Sequence, residues 1–351
     1  MSTWNMEHFA ALLLPWYRDN GRDLPWRHTR DPWLIWLSEV ILQQTQIAQG
    51  ISYYWNLSSM YPTKEDLARA PEDELMRAWQ GLGYYSRARN LQSAARSIFG
   101  KPFPSTYEGI LSLKGVGPYT AAAIASMAFS LPRAVVDGNV LRVLSRYFLI
   151  EEPVDTAKGK ALIQRLSDEM VGKEDPAAYN QAVMDLGAMV CRPQNPSCQT
   201  CPLQGCCAAF MAGRAKDLPV KGKSVKVRDR YMRYLLLRDE AGRLLIRKRS
   251  SNGIWRALYE WILFESDEEV PLSRILEDGR LKGVDLECLN VSETPVLHRL
   301  THLRLHILVD SARIRYDQAM KFLDEGYEWA TLEQCQEKAF PRPLLVYLKE
   351  S

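Results

Sequence analysis

No long apolar run interrupts this sequence. Its hydrophobic stretches fall short of the roughly 20 residues that a helix needs to cross a bilayer, which excludes a membrane-spanning chain of that kind. A marked basic excess is missing too: 45 Lys and Arg against 42 Asp and Glu leave a formal charge of +3, too little to argue for a polyanionic partner by itself. The opening MSTWNMEHFAALLLPWY has no basic leader before its short apolar run, and Pro15 breaks that run, so the expectation is a cytoplasmic protein. Internal repeats and low-complexity tracts are also lacking. Cysteine is scarce outside one place. Of the seven, five lie between Cys191 and Cys207, and such a cluster in an intracellular chain points to metal before disulfides.

What is present is a chain of 351 residues, long enough for two or three domains with real cores. From about residue 5 to 210, apolar residues recur at helical spacing in segments punctuated by Pro and Gly, so an all-α domain is predicted over 1–211. Residues 212–229 are polar, basic and without apolar period, as in an exposed linker. Over 230–351 an α+β domain is expected. YMRYLLLRDEAGRLLIRKR reads as two strands about a short turn and LRLHILVDSARI as another strand, while LSRILED and LLVYLKES read as helices.

Chemistry concentrates in a few places. Cys191, Cys198, Cys201 and Cys207 are separated by six, two and five residues, a spacing from which four thiolates converge. Structural zinc and a cubane iron–sulfur cluster fit such a set about equally, with Cys206 as a bystander. LKGVGPYTAAAIAS, residues 113–126, is a Gly-Val-Gly turn leading into a small-residue helix. Gly115 and Gly117 let the backbone approach a ligand, and a DNA phosphate suits the amides there; a simple helix–helix turn accounts for the same residues. Asp137 precedes an apolar-periodic helix, where Asp is a preferred N-cap. Glu39 stands alone in the bulky run LIWLSEVILQQTQI. A buried carboxylate without a partner either has a cation nearby or takes up a proton, unless it lies on an exposed stripe of the helix.

Taken together and in order, SEVILQQTQ, GLGYYSRARNL, LKGVGPYTAAAI, VVDGNVLRVLSR, NQAVMDLGAMVC and the four-cysteine run resemble the MutY-type adenine DNA glycosylases. The resemblance is strong over the first 210 residues and weaker beyond. It implies a helix-hairpin-helix glycosylase core of the superfamily shared with endonuclease III, with the hairpin at about 105–130, an iron–sulfur loop at 191–207, and a Nudix-like lesion-recognition domain over 230–351. It favours a 4Fe-4S cluster over zinc on Cys191, Cys198, Cys201 and Cys207.

The resemblance also assigns roles. Glu39 would protonate a flipped adenine, and Asp137 would stabilise the sugar cation or trap it briefly. Tyr119 and Asn139 would line the sugar side of the pocket. Tyr119 stands where a lyase would carry its imine-forming lysine, so a monofunctional enzyme is expected. Gln44 and Tyr84 would enter the base stack, and Arg22, Leu24, Trp26, Arg27 and Gln181 would surround the adenine. The implied partner is double-stranded DNA with adenine opposite 8-oxoguanine or guanine, met by a monomer.

The C-terminal half departs from the family pattern in two places. Leu300, Thr301 and His302 stand at the lesion-reading tip, where a phenylalanine is usual first, and Arg256 and Ala257 replace glycines. No acidic magnesium-binding run is present, so that domain is expected to read rather than hydrolyse. His298, His302 and His306 fall four apart, a helical ligand spacing, but their neighbours alternate as in a strand. Two rival readings remain: an endonuclease III-like glycosylase for oxidised pyrimidines, and a non-catalytic DNA-binding protein with structural zinc.

Overall fold

The computed structural model describes residues 3–172, 175–222, 227–250, 253–300 and 302–348. Two compact units emerge, Met1–Arg69 with Asn90–Ser224, and Ala70–Arg89 with Val225–Ser351. The helices in chain order through the first 211 residues are α1 (Thr3–Asn20), α2 (Pro32–Leu42), α3 (Ile47–Met60), α4 (Lys64–Arg69), α5 (Glu72–Ala78), α6 (Ser86–Ser97), α7 (Tyr107–Leu111), α8 (Pro118–Phe129), α9 (Gly138–Tyr147), α10 (Ala157–Met170), α11 (Pro176–Met189) and α12 (Ala208–Met211). Among the described residues, none of these is long and apolar enough to cross a membrane.

Helix α2 begins cleanly because Asp31 caps it, its carboxylate accepting from the Trp33 amide, and Pro32 occupies the first turn where no N–H is missed. From Ile35 to Ile41 every residue is buried, Glu39 included. The helix packs against α3 and α8, so it is central to the first unit. A second apolar cluster joins α1, α9, α10 and α11 through Phe9, Leu13, Leu144, Ile163, Tyr179 and Leu186. From α9, Val140, Val143, Leu144 and Tyr147 join this cluster, and Asp137 caps the start of the helix.

The second unit is built on a mixed sheet. Its strands are β1 (Arg228–Arg238), β2 (Leu244–Lys248), β3 (Tyr259–Glu260), β4 (Ile262–Ser266), β5 (Glu287–Asn290), β6 (Val296–Arg299), β7 (Leu303–Arg313) and β8 (Tyr327–Ala330). Strand β1 runs parallel to β7 and antiparallel to β2 and β4. Alternation along β1 serves two cores: Met232, Tyr234 and Leu236 face one, Leu235 and Leu237 the other. Short helices α13 (Leu272–Leu276), α14 (Met320–Asp324) and α15 (Leu332–Gln336) complete the unit.

One expectation changes. LLVYLKES forms no helix: a 3-10 turn at Arg342–Leu344 passes into turns through Leu348, and residues 349–351 lie outside the described residues. Leu344 and Leu348 are buried against the sheet core, so tertiary burial overrides local pattern. Within 212–222, Ala212, Gly213, Lys216, Asp217, Lys221 and Gly222 are exposed, while Leu218 is buried; its carbonyl accepts from Arg146 Nε at 2.9 Å, and Val220 accepts from the Val154 amide at 3.0 Å. His298 and His306 lie on the paired strands β6 and β7, as the alternation of their neighbours predicted.

Candidate active site

A short 3-10 turn, Pro25–Arg27, follows α1 and directs Leu24 and Trp26 inward, 5% and 7% exposed. These two, with Glu39 from α2, Tyr119 from α8, Asn139 from α9, Gln181 from α11, and Arg22, Arg27 and Asp137, line a single cavity of about 190 Å³. Every position read from the sequence as catalytic or adenine-binding is therefore on its wall. The volume lies below the roughly 300–1,000 Å³ usual for drug-sized ligands, which suits one heterocyclic base. Leu42, Thr45, Ile47, Met127 and Met184 also line it and were not singled out from the sequence.

The two acids are held differently. Glu39 is buried, and burial pushes its carboxyl up to about 7; the Tyr119 hydroxyl within hydrogen-bond reach and the Arg27 charge pull it down, while Asp137 pushes it up. Burial and the neighbouring Glu39 and Asp137 hold the Tyr119 phenol well above its ordinary range, and its hydroxyl also lies 3.7 Å from Met184 Sδ. Asp137 is half-buried and caps α9. One oxygen accepts from the amides of Asn139 and Val140, each at 2.8 Å, and the other accepts from Asn139 Nδ2 at 2.7 Å. A proton donor poised near neutrality and an anchored carboxylate thus share one cavity, the arrangement acid-assisted bond cleavage with charge stabilisation requires.

The supporting residues come from far along the chain. Asn180, 1% exposed, accepts from the Val135 amide and donates to Ser126 Oγ and the Arg133 carbonyl, each at 2.9 Å, which fixes the strand-like approach to Asp137. Asp185, wholly buried, binds Arg22 and Arg27. Tyr17 donates to Gln181 Oε1 at 2.5 Å. Gly187 is required for close approach of α11 to α9, since a Cβ there would lie 2.6 Å from Asn139 Cβ. Asp185, Asn180 and Tyr17 escaped the sequence reading. The only local signal is that Gln181 and Asp185 are spaced i, i+4 on one helix.

The remaining positions lie elsewhere. Gln44 is exposed with φ +57° and does not line the cavity. Gly115, at φ +81°, and Gly117 form the exposed turn between α7 and α8; a Cβ at 115 would meet Asn90 Cβ at 2.6 Å. In the second unit, Tyr84 (φ +46°) and His302 line a separate cavity of about 300 Å³ with Trp255 and Leu300. Thr301 lies outside the described residues.

Cys191, Cys198, Cys201 and Cys207 ring one cavity, whose lining does not include Cys206. Burial pushes the Cys201 thiol up to about 12 and raises Cys198 and Cys207 as well. Among the described residues, no group of three or more His, Cys, Asp or Glu is arranged to hold a single metal ion. Four thiols about a common cavity nevertheless form the donor set of a thiolate-bound cluster, and Arg146 Nη1 lies 3.4 Å from Cys191 Sγ, so the residues fit such a group.

Comparison with known proteins agrees with this geometry. Residues 37–171 match the family described as HhH-GPD superfamily base excision DNA repair protein, and residues 233–350 match the NUDIX domain. The chain is 32% identical over 304 residues to the adenine DNA glycosylase of Buchnera aphidicola subsp. Baizongia pistaciae, covering 85% of this chain and 84% of that protein. It is 45% identical over 227 residues to the adenine DNA glycosylase of Mus musculus, over 60% of this chain and 44% of the mouse protein, so it spans less than half of that relative. Among solved structures, a thermostable thymine-DNA glycosylase superposes with a TM-score of 0.56 at 30% identity, covering 60% of this chain and 98% of that one. With a helical base-excision core, a NUDIX domain and this kinship along most of its length, the chain belongs to the adenine DNA glycosylases, enzymes that cleave the N-glycosidic bond in DNA.

Proposed function

We propose that the chain excises adenine paired with 8-oxoguanine or guanine in double-stranded DNA, acting as a monofunctional, monomeric, cytoplasmic glycosylase with Glu39 as general acid and Asp137 as the electrostatic partner of the sugar. The observation that carries this reading is the shared cavity of Glu39 and Asp137, one carboxyl raised toward neutrality by burial and the other anchored at a helix N-terminus. Glu39 gives its proton to a ring nitrogen of the everted adenine. The glycosidic bond breaks with its electron pair leaving on the base, and the Asp137 carboxylate stabilises the resulting oxocarbenium until water adds and loses a proton. Free adenine and an intact strand with an abasic sugar are the products.

Tyr119 supports the monofunctional reading, because a phenol cannot form the imine that strand cleavage requires. Its hydroxyl orients the Glu39 carboxyl toward the base. Arg22, Leu24, Trp26, Arg27 and Gln181 form the base pocket. Gln44 and Tyr84 act as stacking wedges, and the Gly115–Gly117 turn grips a phosphate. Tyr84, Leu300 and His302 around one cavity support a lesion-reading role for the second unit.

Cys191, Cys198, Cys201 and Cys207 would hold a 4Fe-4S cluster. Such a cluster, when bound, fastens the 191–207 loop and places fixed charge beside Arg146.

Single-turnover adenine release from the two mispairs tests the proposal. Release opposite 8-oxoguanine should be the faster, with no borohydride-trapped protein–DNA adduct. Equal rates would refute the lesion-reading assignment, and a trapped adduct in high yield would refute the hydrolytic one.

A further inference from the structure

Asp185 lies on α11, is fully buried, and does not itself line the base cavity. Both its oxygens are taken by the cavity's arginines. From Arg22 it accepts the backbone amide at 2.9 Å, Nε at 2.7 Å and Nη2 at 2.5 Å; from Arg27 it accepts Nη1 and Nη2, each at 2.8 Å. Arg27 Nη1 donates in addition to the Arg22 carbonyl at 2.8 Å, which closes the cluster. Burial pushes the Asp185 carboxyl up, but the bonds from Arg27 and Arg22 outweigh it and hold the group below the usual carboxylate range.

We propose that Asp185 is a positioning residue for base excision: it clamps Arg22 and Arg27 into the cavity wall and sets how much positive charge Arg27 presents to Glu39. The inference rests on the reading of Glu39 as the proton donor. Glu39 faces Tyr119 from α8, Asp137 from the N-terminus of α9 and Arg27 from the 3-10 turn, and of these only Arg27 is a cation. One buried anion against two guanidinium groups leaves the cluster with a single positive charge. Neutralising Asp185 doubles that charge and favours ionised Glu39, the form that cannot donate. Removing the Arg27 charge abolishes it and favours the protonated form.

Single-turnover adenine release measured between about pH 5.5 and pH 9 on Asp185→Asn, Arg27→Gln, their double variant and Glu39→Gln separates these effects. Asp185→Asn should move the alkaline limb of the rate profile to lower pH by about one unit, so that its deficit is about fivefold greater at pH 8 than at pH 6. Arg27→Gln should move the limb the other way, and the double variant should bring it back near the parent position. Limbs that coincide in all three, whatever the rates, would overturn the proposal, since a merely structural Asp185 lowers the rate without moving the limb. Should Asp185→Asn fail to fold, Asp185→Ser takes its place: a limb moved to lower pH supports the proposal, and an unmoved limb overturns it. A parent enzyme without an alkaline limb, or a Glu39→Gln variant at near-normal rate, would instead sink the assignment of Glu39.

Discussion

Asp137 and Asn139 are joined twice at the start of α9: the Asn139 amide nitrogen donates to one carboxylate oxygen at 2.8 Å and its side-chain nitrogen to the other at 2.7 Å. The side-chain oxygen of Asn139 in turn accepts from Arg142 Nη2 at 2.8 Å, and Arg142 also reaches the carbonyls of Gly187 and Cys191 at 2.8 and 2.7 Å. The carboxylate proposed to face the sugar is therefore fixed by the same residues that tie α9 to α11 and to the cysteine loop.

Capping and catalysis at position 137 are separable. Asn caps a helix about as well as Asp but cannot accept from Asn139 Nδ2 at its second position, so Asp137→Asn should cost about 1 kcal/mol of stability while slowing adenine release by about 10²–10³-fold. Asp137→Ala should lose the catalysis and about 2 kcal/mol of stability, because the cap goes with the Asn139 bond. Denaturant titration beside single-turnover kinetics distinguishes the two variants, and an active Asp137→Asn would remove the carboxylate from the mechanism.

Glu39 carries a stability cost with a definite sign. Its value rises from an ordinary 4.5 to about 7 on folding, so between those limits the folded chain holds more protons than the unfolded one. This site's contribution is present in acid and lost as pH rises through about 7, a change on the order of 3 kcal/mol. Glu39→Gln should thus abolish base release and yet melt higher than the parent at pH 8, with little difference at pH 4.5. Equal melting at both pH values would show the acid to be well solvated.

Much of this site was legible in the sequence, and what was missed has a common cause. Glu39, Asp137 and the four cysteines stand out because each sits in a short segment whose local pattern is odd: an acid in an apolar helix, a cap before a periodic run, thiols at close spacing. Asp185 and Tyr17 carry no such mark, since their partners Arg22 and Gln181 lie 163 and 164 residues away. Only tertiary structure brings such pairs together. The misread LLVYLKES segment failed for a related reason, its apolar spacing being set by burial of Leu344 and Leu348 against the sheet rather than by a helix.

Ala257 occupies a left-handed backbone conformation, φ +65°, at one of the positions where glycine had been expected. A Cβ there costs about 1 kcal/mol relative to glycine. Ala257→Gly should raise the stability of the second unit by up to that amount, read as a shift of the denaturant midpoint. A destabilised variant would mean that the methyl group makes packing contacts worth more than the torsional relief.

The cysteine loop gives a prediction that does not depend on catalysis. Cys201→Ser removes a thiol from the common cavity and should lower bound iron and sulfide per chain severalfold, whereas Cys206→Ser, outside that lining, should leave both unchanged. Chemical iron and sulfide determination on the purified variants is the measurement. Zinc in place of iron would return the loop to a structural-metal reading.

The contact between Gly187 and Asn139 has an evolutionary side. Two helices that meet with 2.6 Å between a hypothetical methyl and a neighbouring Cβ have no slack, so the backbone beside the carboxylate proposed to face the sugar can accept no larger residue at 187 without a shift. Alanine, the mildest of all replacements, would press on Asn139, which donates twice to the Asp137 carboxylate. A bare α-carbon on one helix thus acts as a calibration mark for chemistry carried by another.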